Sequence, residues 1–394
     1  MTPRALPPPR VLLLHPWLDF HGGVPRSYLT YAREAAGEVE LQVASAHSPE
    51  GEMAAAFAEL SVPVHVLGGG STVEWVGRLA SLVRREGIDG VVCTLLRTLA
   101  VARLATWGTA CRVIFYASGI SLVLEDPLRR ALFGLLSRSV PIAAVSRAAL
   151  DHHLPPGRDR SARRRPERVI QLGVSSAASD PEAAPFRRRG RSVLGIPEEA
   201  SLIVFTAEFL DWKRHACLFE AFSKLAARRP EIHLLLIGDG PLREALEAKV
   251  RAEPSGGRVH FTGTRFDARK LLGWADLYAH PAVGEGFGLA LVEAMAAGVP
   301  VVAARSGALP ELVVDGDTGL LFEPDNAVDL AARIEELLGQ PERARRLGRA
   351  GRERCFECFQ GEAFAARLSG FLLEALDARR SGGLERKAAS PSAI

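Results

Sequence analysis

Short apolar runs alternate with longer amphipathic segments along most of the chain. Residues 11–14, 41–46, 64–67, 90–95, 113–117 and 142–146 are compact apolar runs that predict buried strands. Between them, residues 24–36, 73–86 and 128–137 carry the spacing of amphipathic helices. Strand–helix alternation of this kind predicts a parallel sheet covered on both faces. From 174 to 192 the composition turns to Ser, Ala, Pro, Asp and Arg without periodicity, which predicts a linker. The alternation resumes at 202–206 and runs through 233–237, 259–262, 277–280 and 300–303, with helices over 216–228, 242–251 and 289–297. From residue 326 onward the pattern is helical, and the tail after 381 has the composition of a disordered segment.

The fold class is therefore α/β, with two Rossmann-like doubly wound domains in tandem. Their predicted limits are 1–176 and 193–356, joined by a linker over 177–192, with a tail over 381–394. A helix over about 357–380 is expected to pack back on the first domain. Ligands of such sheets bind at the carboxyl ends of the strands, so two domains facing a central cleft would share one site.

Composition narrows the class further. At 394 residues, 47% hydrophobic and 24% charged, the chain matches a globular protein, and no apolar run approaches the ~20 residues that span a bilayer. The first ten residues hold three consecutive prolines and no signal-peptide pattern, so a cytoplasmic protein is expected. Net charge is only +3, but six arginines fall between Arg158 and Arg168 and four between Arg187 and Arg191. Solvated surface loops explain both clusters, and an anionic membrane or acceptor is the alternative. Nucleic acid is excluded as a partner because no aromatic residues interleave with the arginines. Five scattered cysteines do not form a disulfide framework, and the C-x-x-C of Cys355 and Cys358 lacks a second pair or a histidine cluster.

Candidate chemistry concentrates in the segment PAVGEGFGLALVEAMAAGVP, residues 281–300. A strand ends near His280 and a helix opens near Gly288, with glycines 286 and 288 leaving the backbone bare for an anion. The unpaired amides at the helix start favour a phosphate there. Glu285 and Glu293 would repel phosphate but suit sugar hydroxyls, which they can accept as hydrogen-bond donors. A phosphate site flanked by two hydroxyl acceptors describes a nucleotide-sugar.

The Glu285-x7-Glu293 spacing, the EGFG core and the flanking EAMAAGVPVV closely resemble the family 4 retaining glycosyltransferases of GT-B fold. HGGVPRSYL from His21, VIQLGVSS from Val169, LLLIGDGPLREAL from Leu234, VHFTG from Val259 and GALPELVVDGDTGLLF from Gly307 match in the family's order. The resemblance implies a UDP- or GDP-sugar donor and transfer to a hydroxyl acceptor, a glycan, lipid or small metabolite, with retention. It implies that Glu285 binds donor-sugar hydroxyls and Glu293 the ribose, while amides of Phe287, Gly288 and Leu289 with Lys213 hold the diphosphate. Gly22 and Gly23 would let the first loop approach the diphosphate closely, and Arg265 would reach the base. No cofactor or divalent metal is implied, since lysine and helix amides neutralise the leaving group; Asp315 and Asp317 lack the ligand count of a calcium loop.

The chain departs from the family's pattern in three places. Ala207 and Glu208 stand where a Gly-Arg pair is usual, so an anion replaces a cation, with Arg214 as the candidate substitute. Ser118 stands in place of a histidine after the fifth strand; it can bond a hydroxyl but cannot carry a proton. Leu172 and Ser175 replace an asparagine and an aspartate. A catalytically impaired binding or scaffold protein is therefore the alternative, and a sugar-nucleotide epimerase fits less well. An NAD enzyme fits poorly, because the first strand leads into HPWLDFHGG rather than a G-x-G-x-x-G turn. Residues 95–107 and 158–168 permit a peripheral membrane contact, which a buried helix and an exposed loop explain equally well.

Overall fold

The computed structural model describes residues 7–18, 23–35, 37–120, 125–154, 166–175 and 190–377. Gly22, the arginines at 158–165 and 187–189, most of the 177–192 segment and the 381–394 tail lie outside the described residues. The chain divides into two compact units. The first takes the described residues up to Val145, then Ala149–Gln171, and then those from Glu362 onward; the second takes Ser146–Ala148 and Leu172–Gly361.

The first unit alternates β1 (Arg10–Leu14), α1 (Gly23–Glu34), β2 (Glu40–Ser45), α2 (Gly51–Glu59), β3 (Val64–Val66), α3 (Thr72–Glu86), β4 (Gly90–Cys93), α4 (Leu96–Ala105), β5 (Arg112–Ala117), α5 (Pro127–Leu136), β6 (Ile142–Ala144), α6 (Arg147–His153) and β7 (Glu167–Val169). Among the described residues these seven strands form one parallel sheet in the order β3-β2-β1-β4-β5-β6-β7. The strand order reverses between β1 and β4, the switch point where such sheets open a crevice. Every residue of β4, and all of β1 after Arg10, is buried, as expected of strands covered on both faces.

The second unit runs through β8 (Ser201–Thr206), α7 (His215–Ala226), β9 (Ile232–Ile237), α8 (Arg243–Arg251), β10 (Val259–Phe261), α9 (Ala268–Leu272), β11 (Leu277–His280), α10 (Leu289–Ala296), β12 (Val301–Ala304), α11 (Leu309–Leu312), β13 (Leu320–Phe322), α12 (Ala327–Gly339) and α13 (Pro341–Cys358). Its six described strands are parallel in the order β10-β9-β8-β11-β12-β13, with the switch point between β8 and β11. Cys355 is buried in α13 and its thiol is pushed up to about 12 by burial, so it is an inert core residue.

Two features of the middle of the chain differ from the sequence reading. The second unit begins at Leu172, ahead of the expected linker, because Val174 joins the end of α13: its amide donates to Phe359 O and its carbonyl accepts from Gly361 N, both at 2.9 Å. Arg191, placed by composition in a solvated basic loop, is instead only 1% exposed. It lies in a short helix, Gly190–Leu194, where its guanidinium donates to Ala200 O at 2.6 Å, to Trp274 O at 3.0 Å and to Asp276 Oδ2 at 3.0 Å. Five donors in a fixed fork let arginine bridge two segments that composition alone separates.

The last described helix, α14 (Gly361–Asp377), belongs to the first unit from Glu362 onward. Phe364, Leu368, Phe371, Leu372 and Ala375 are buried there, and Ser369 Oγ pairs with Tyr31 Oη of α1 at 2.9 Å.

Candidate functional site

The second unit's switch point is built from two loops that diverge at the carboxyl ends of β8 and β11. After β8 the chain forms a single turn, Asp211–Lys213, and Arg214 follows in the left-handed region at φ 55°. After β11 it crosses Gly284–Gly288 into α10. The loops are tied at their bases by Val283 N donating to Trp212 O at 2.9 Å.

The second loop is clamped on its other side by the turn ahead of α11. Gly284 N donates to Ser306 Oγ at 3.1 Å, and Ala308 N donates to Glu285 O at 2.9 Å. Gly307, at φ +56°, lies so close that a Cβ there would overlap the Glu285 carbonyl oxygen and sit 2.7 Å from its nitrogen. Gly288 caps α10 at φ 101°. The first ladder bonds of α10 are Leu291 N and Val292 N to Gly288 O, at 3.0 and 3.1 Å, so the amides of Leu289 and Ala290 stand ahead of the ladder. The rigid loop thus presents unladdered amides beside a carboxylate.

That carboxylate, Glu285, is 8% exposed and its Oε2 lies 2.7 Å from Lys213 Nζ. Lys213 in turn lies over the Trp212 ring, 4.0 Å from its centroid, which favours the cation. His280 Nε2 approaches the same oxygen at 3.2 Å, and Tyr278 Oη lies 3.2 Å from His280 Nδ1. A carboxylate only accepts, so Nε2 carries the imidazole proton and Nδ1 accepts from the tyrosine. Burial disfavours the charged imidazole and lowers its pKa, although Glu285 pulls it up. Burial also raises the Glu285 pKa, but the Lys213 ammonium and His280 outweigh it and hold the carboxyl at about 2. Glu285 is therefore ionised throughout the physiological range, with Lys213 and His280 fixing its position.

The remaining candidates are distributed as follows. Glu293, on α10, is 4% exposed and its Oε1 accepts from Arg269 Nε at 2.9 Å. Phe287 is buried edge-on against Phe359, so only its backbone is available to a ligand. Arg265 forms a two-pronged pair with Asp267 at 2.7 and 2.8 Å. Arg214 is held by Asp211 Oδ2 and Asp325 Oδ1, each at 2.7 Å, so much of its charge is already compensated. Glu208 is exposed, while its neighbour Phe209 turns inward against His215. Among the described residues no group of three His, Cys, Asp and Glu side chains is arranged to hold a metal ion.

In the first unit, His15 and Thr94 follow β1 and β4 and bond across that sheet's switch point, Nδ1 to Oγ1 at 2.7 Å. Burial lowers the His15 pKa to about 4. Ser118 follows β5, one strand farther along, half-buried, and Gly23 opens α1 with free space around its Cα. Sequence reasoning missed Tyr278, His280, Arg269 and His15. The period of two along β11, which puts Tyr278 and His280 on one face just ahead of the Glu285 loop, was the available signal.

Comparison with known proteins relates the second unit to a family. Residues 186–354 match the model of "Glycosyl transferases group 1". The chain is 32% identical over 188 residues to N-acetyl-alpha-D-glucosaminyl L-malate synthase of Bacillus anthracis, covering 48% of this chain and 49% of that protein. It is 32% identical over 256 residues to a GDP-mannose-dependent alpha-(1-6)-phosphatidylinositol monomannoside mannosyltransferase of Mycolicibacterium smegmatis, covering 62% of each. The matched regions thus span between about half and 62% of these relatives' lengths. Among solved structures, Anabaena Alr3699/HepE, determined with UDP and glucose, superposes with a TM-score of 0.81 at 20% identity, covering 93% of this chain and 99% of that one. The chain thus has the GT-B fold of two Rossmann-like sheets, and its residues 186–354 match the group 1 glycosyltransferases.

Proposed function

We infer that this protein transfers a sugar from a UDP- or GDP-sugar to a hydroxyl acceptor with retention and without a divalent metal. The observation that carries the reading is the ionised Glu285 fixed beside Lys213 at the mouth of α10. A diphosphate at the α10 N-terminus would meet the amides of residues 287–289, and Lys213 has donors left for it beyond the one shared with Glu285. Glu285 would then accept hydroxyls of the donor sugar, and Glu293 the ribose once Arg269 shares it. As the glycosidic bond breaks, negative charge develops on the diphosphate, and preformed donors there lower the barrier without reorganising. The departing phosphate oxygen accepts the proton of the incoming hydroxyl on the same face.

UDP is supported by the likeness to a protein solved with UDP and glucose, and GDP by the mannosyltransferase relative. One observation favours an impaired, binding-only protein instead: Glu208 occupies the place of the usual cation, and Arg214 is already paired with two aspartates. Metal-free calorimetry of UDP, GDP and ADP, repeated on Lys213→Ala, separates the two. Binding of one nucleotide, weakened at least tenfold in the variant, supports the transferase. Absence of binding by all three, in folded protein, sinks it.

A further inference from the structure

We propose that Tyr278 and His280 are positioning residues: they commit one oxygen of Glu285 to the protein and leave the other, Oε1, to read the hydroxyls of the donor sugar, an assignment that rests on the glycosyltransferase reading above. Both bonds to the Glu285 side chain end on Oε2, from Lys213 Nζ at 2.7 Å and His280 Nε2 at 3.2 Å. No hydrogen bond from the described residues reaches Oε1, and that atom is not sealed from solvent. A carboxylate oxygen has two lone-pair sites, so two donors fill Oε2 and leave both sites of Oε1 for a ligand.

The two donors differ in what else they must do. A diphosphate at the α10 N-terminus would draw the Lys213 ammonium, which swings on a flexible stem. His280 faces no such competition. It is 1% exposed, and its ring meets Phe205 of β8 edge-on at 5.4 Å and lies 5.9 Å from the ring of the fully buried Tyr278. An imidazole packed in this way keeps Glu285 aimed when the lysine turns to the phosphates. Tyr278 sets which ring nitrogen faces the carboxylate. Its hydroxyl carries one proton and has two acceptors in reach, His280 Nδ1 at 3.2 Å and Thr206 O at 3.5 Å. Donation to the nearer leaves Nε2 to carry the ring proton, whereas the opposite tautomer would point a lone pair at the Glu285 charge. Burial lowers the His280 pKa, so the neutral ring performs this task at pH 7.

The test uses the full chain and has two arms. The first needs no substrate: proton–nitrogen NMR correlation of isotope-labelled histidines at pH 7, with the His280 signals identified by their absence in His280→Leu, should show a single Nε2–H tautomer. The second is calorimetry of UDP against UDP-glucose and UDP-N-acetylglucosamine, and of GDP against GDP-mannose. Wild type, His280→Leu, His280→Gln and Tyr278→Phe are compared, each checked for folding by circular dichroism. Where the sugar adds affinity in wild type, His280→Leu should weaken the nucleotide-sugar about tenfold more than the nucleotide, and Tyr278→Phe about threefold more. His280→Gln, which carries an N–H donor near the place of Nε2, should restore most of the loss. Equal weakening of nucleotide and nucleotide-sugar is the mark of a structural role and overturns the proposal, as does an Nδ1–H tautomer or nucleotide binding to which no sugar adds. Absence of all nucleotide binding is a separate failure, which removes the transferase reading and the proposal with it.

Discussion

Replacing Glu285 by glutamine reads out the free energy held in the carboxylate that Lys213 and His280 share. Burial would raise this carboxyl above its ordinary 4.5, yet Lys213 and His280 hold it at about 2. At ~1.4 kcal/mol per pH unit, that separation corresponds to about 3 kcal/mol of stability. The folded value lies below the unfolded one, so the contribution is complete above about pH 4.5 and vanishes as pH falls through about 2. Near pH 3 a little under half is left. Urea unfolding of wild type and Glu285→Gln, followed by far-UV circular dichroism at pH 6 and pH 3, isolates it. Carboxylates common to both proteins cancel, and carrying both in a His280→Asn background removes the imidazole, which Glu285 supports in one protein only. The protein that keeps Glu285 should lose about 1–2 kcal/mol more than its glutamine variant between the two conditions, since Lys213 alone then holds the carboxylate. Losses equal within about 0.5 kcal/mol would refute the reasoning, because Glu285 would then be no better ionised in the folded state than in the unfolded chain.

Gly307→Ala should cost roughly 2–5 kcal/mol, from overlap with the Glu285 backbone added to a left-handed φ, and should weaken nucleotide binding with it. Thermal unfolding and calorimetry measure the two effects, and intact nucleotide affinity would show that the Gly307 contact does not hold the loop in place. Arg191→Met should destabilise by about 2–4 kcal/mol, since Asp276 and two carbonyls lose their donor, and a change below about 0.5 kcal/mol in urea unfolding would return Arg191 to the surface loop suggested by composition.

The strands were legible because burial on both faces demands unbroken apolar runs, and residues 277–280 read as a strand that coincides with β11. The EGFG loop was legible because a helix opening on bare backbone requires local residue types, and Gly288 does cap α10. What stayed hidden is pairing across long separations. Glu293 meets Arg269 from 24 positions away, and Lys213 meets Glu285 from 72. Nothing local marks such partners; they become neighbours only when β8 and β11 lie side by side. Arg191 was misread for the same reason, since its partners near Ala200, Trp274 and Asp276 sit beyond any composition window. Glu208 and Arg214 were recognised as a departure from the family's pattern, but the two aspartates that hold Arg214 were not visible from its neighbours.

Helix α14 has a consequence for synthesis. The first unit is discontinuous: its sheet ends by Val169, whereas the helix that covers Tyr31 and buries Phe364, Phe371 and Leu372 begins at Gly361. On the ribosome, at ~5–20 residues per second, the earlier sheet waits roughly 10–40 seconds for that helix. The second unit, nearly contiguous from Leu172 to Gly361, can finish first. The N-terminal strands are then the last part of the molecule to be sealed, with the α14-facing side of the sheet open to chaperones and proteases meanwhile.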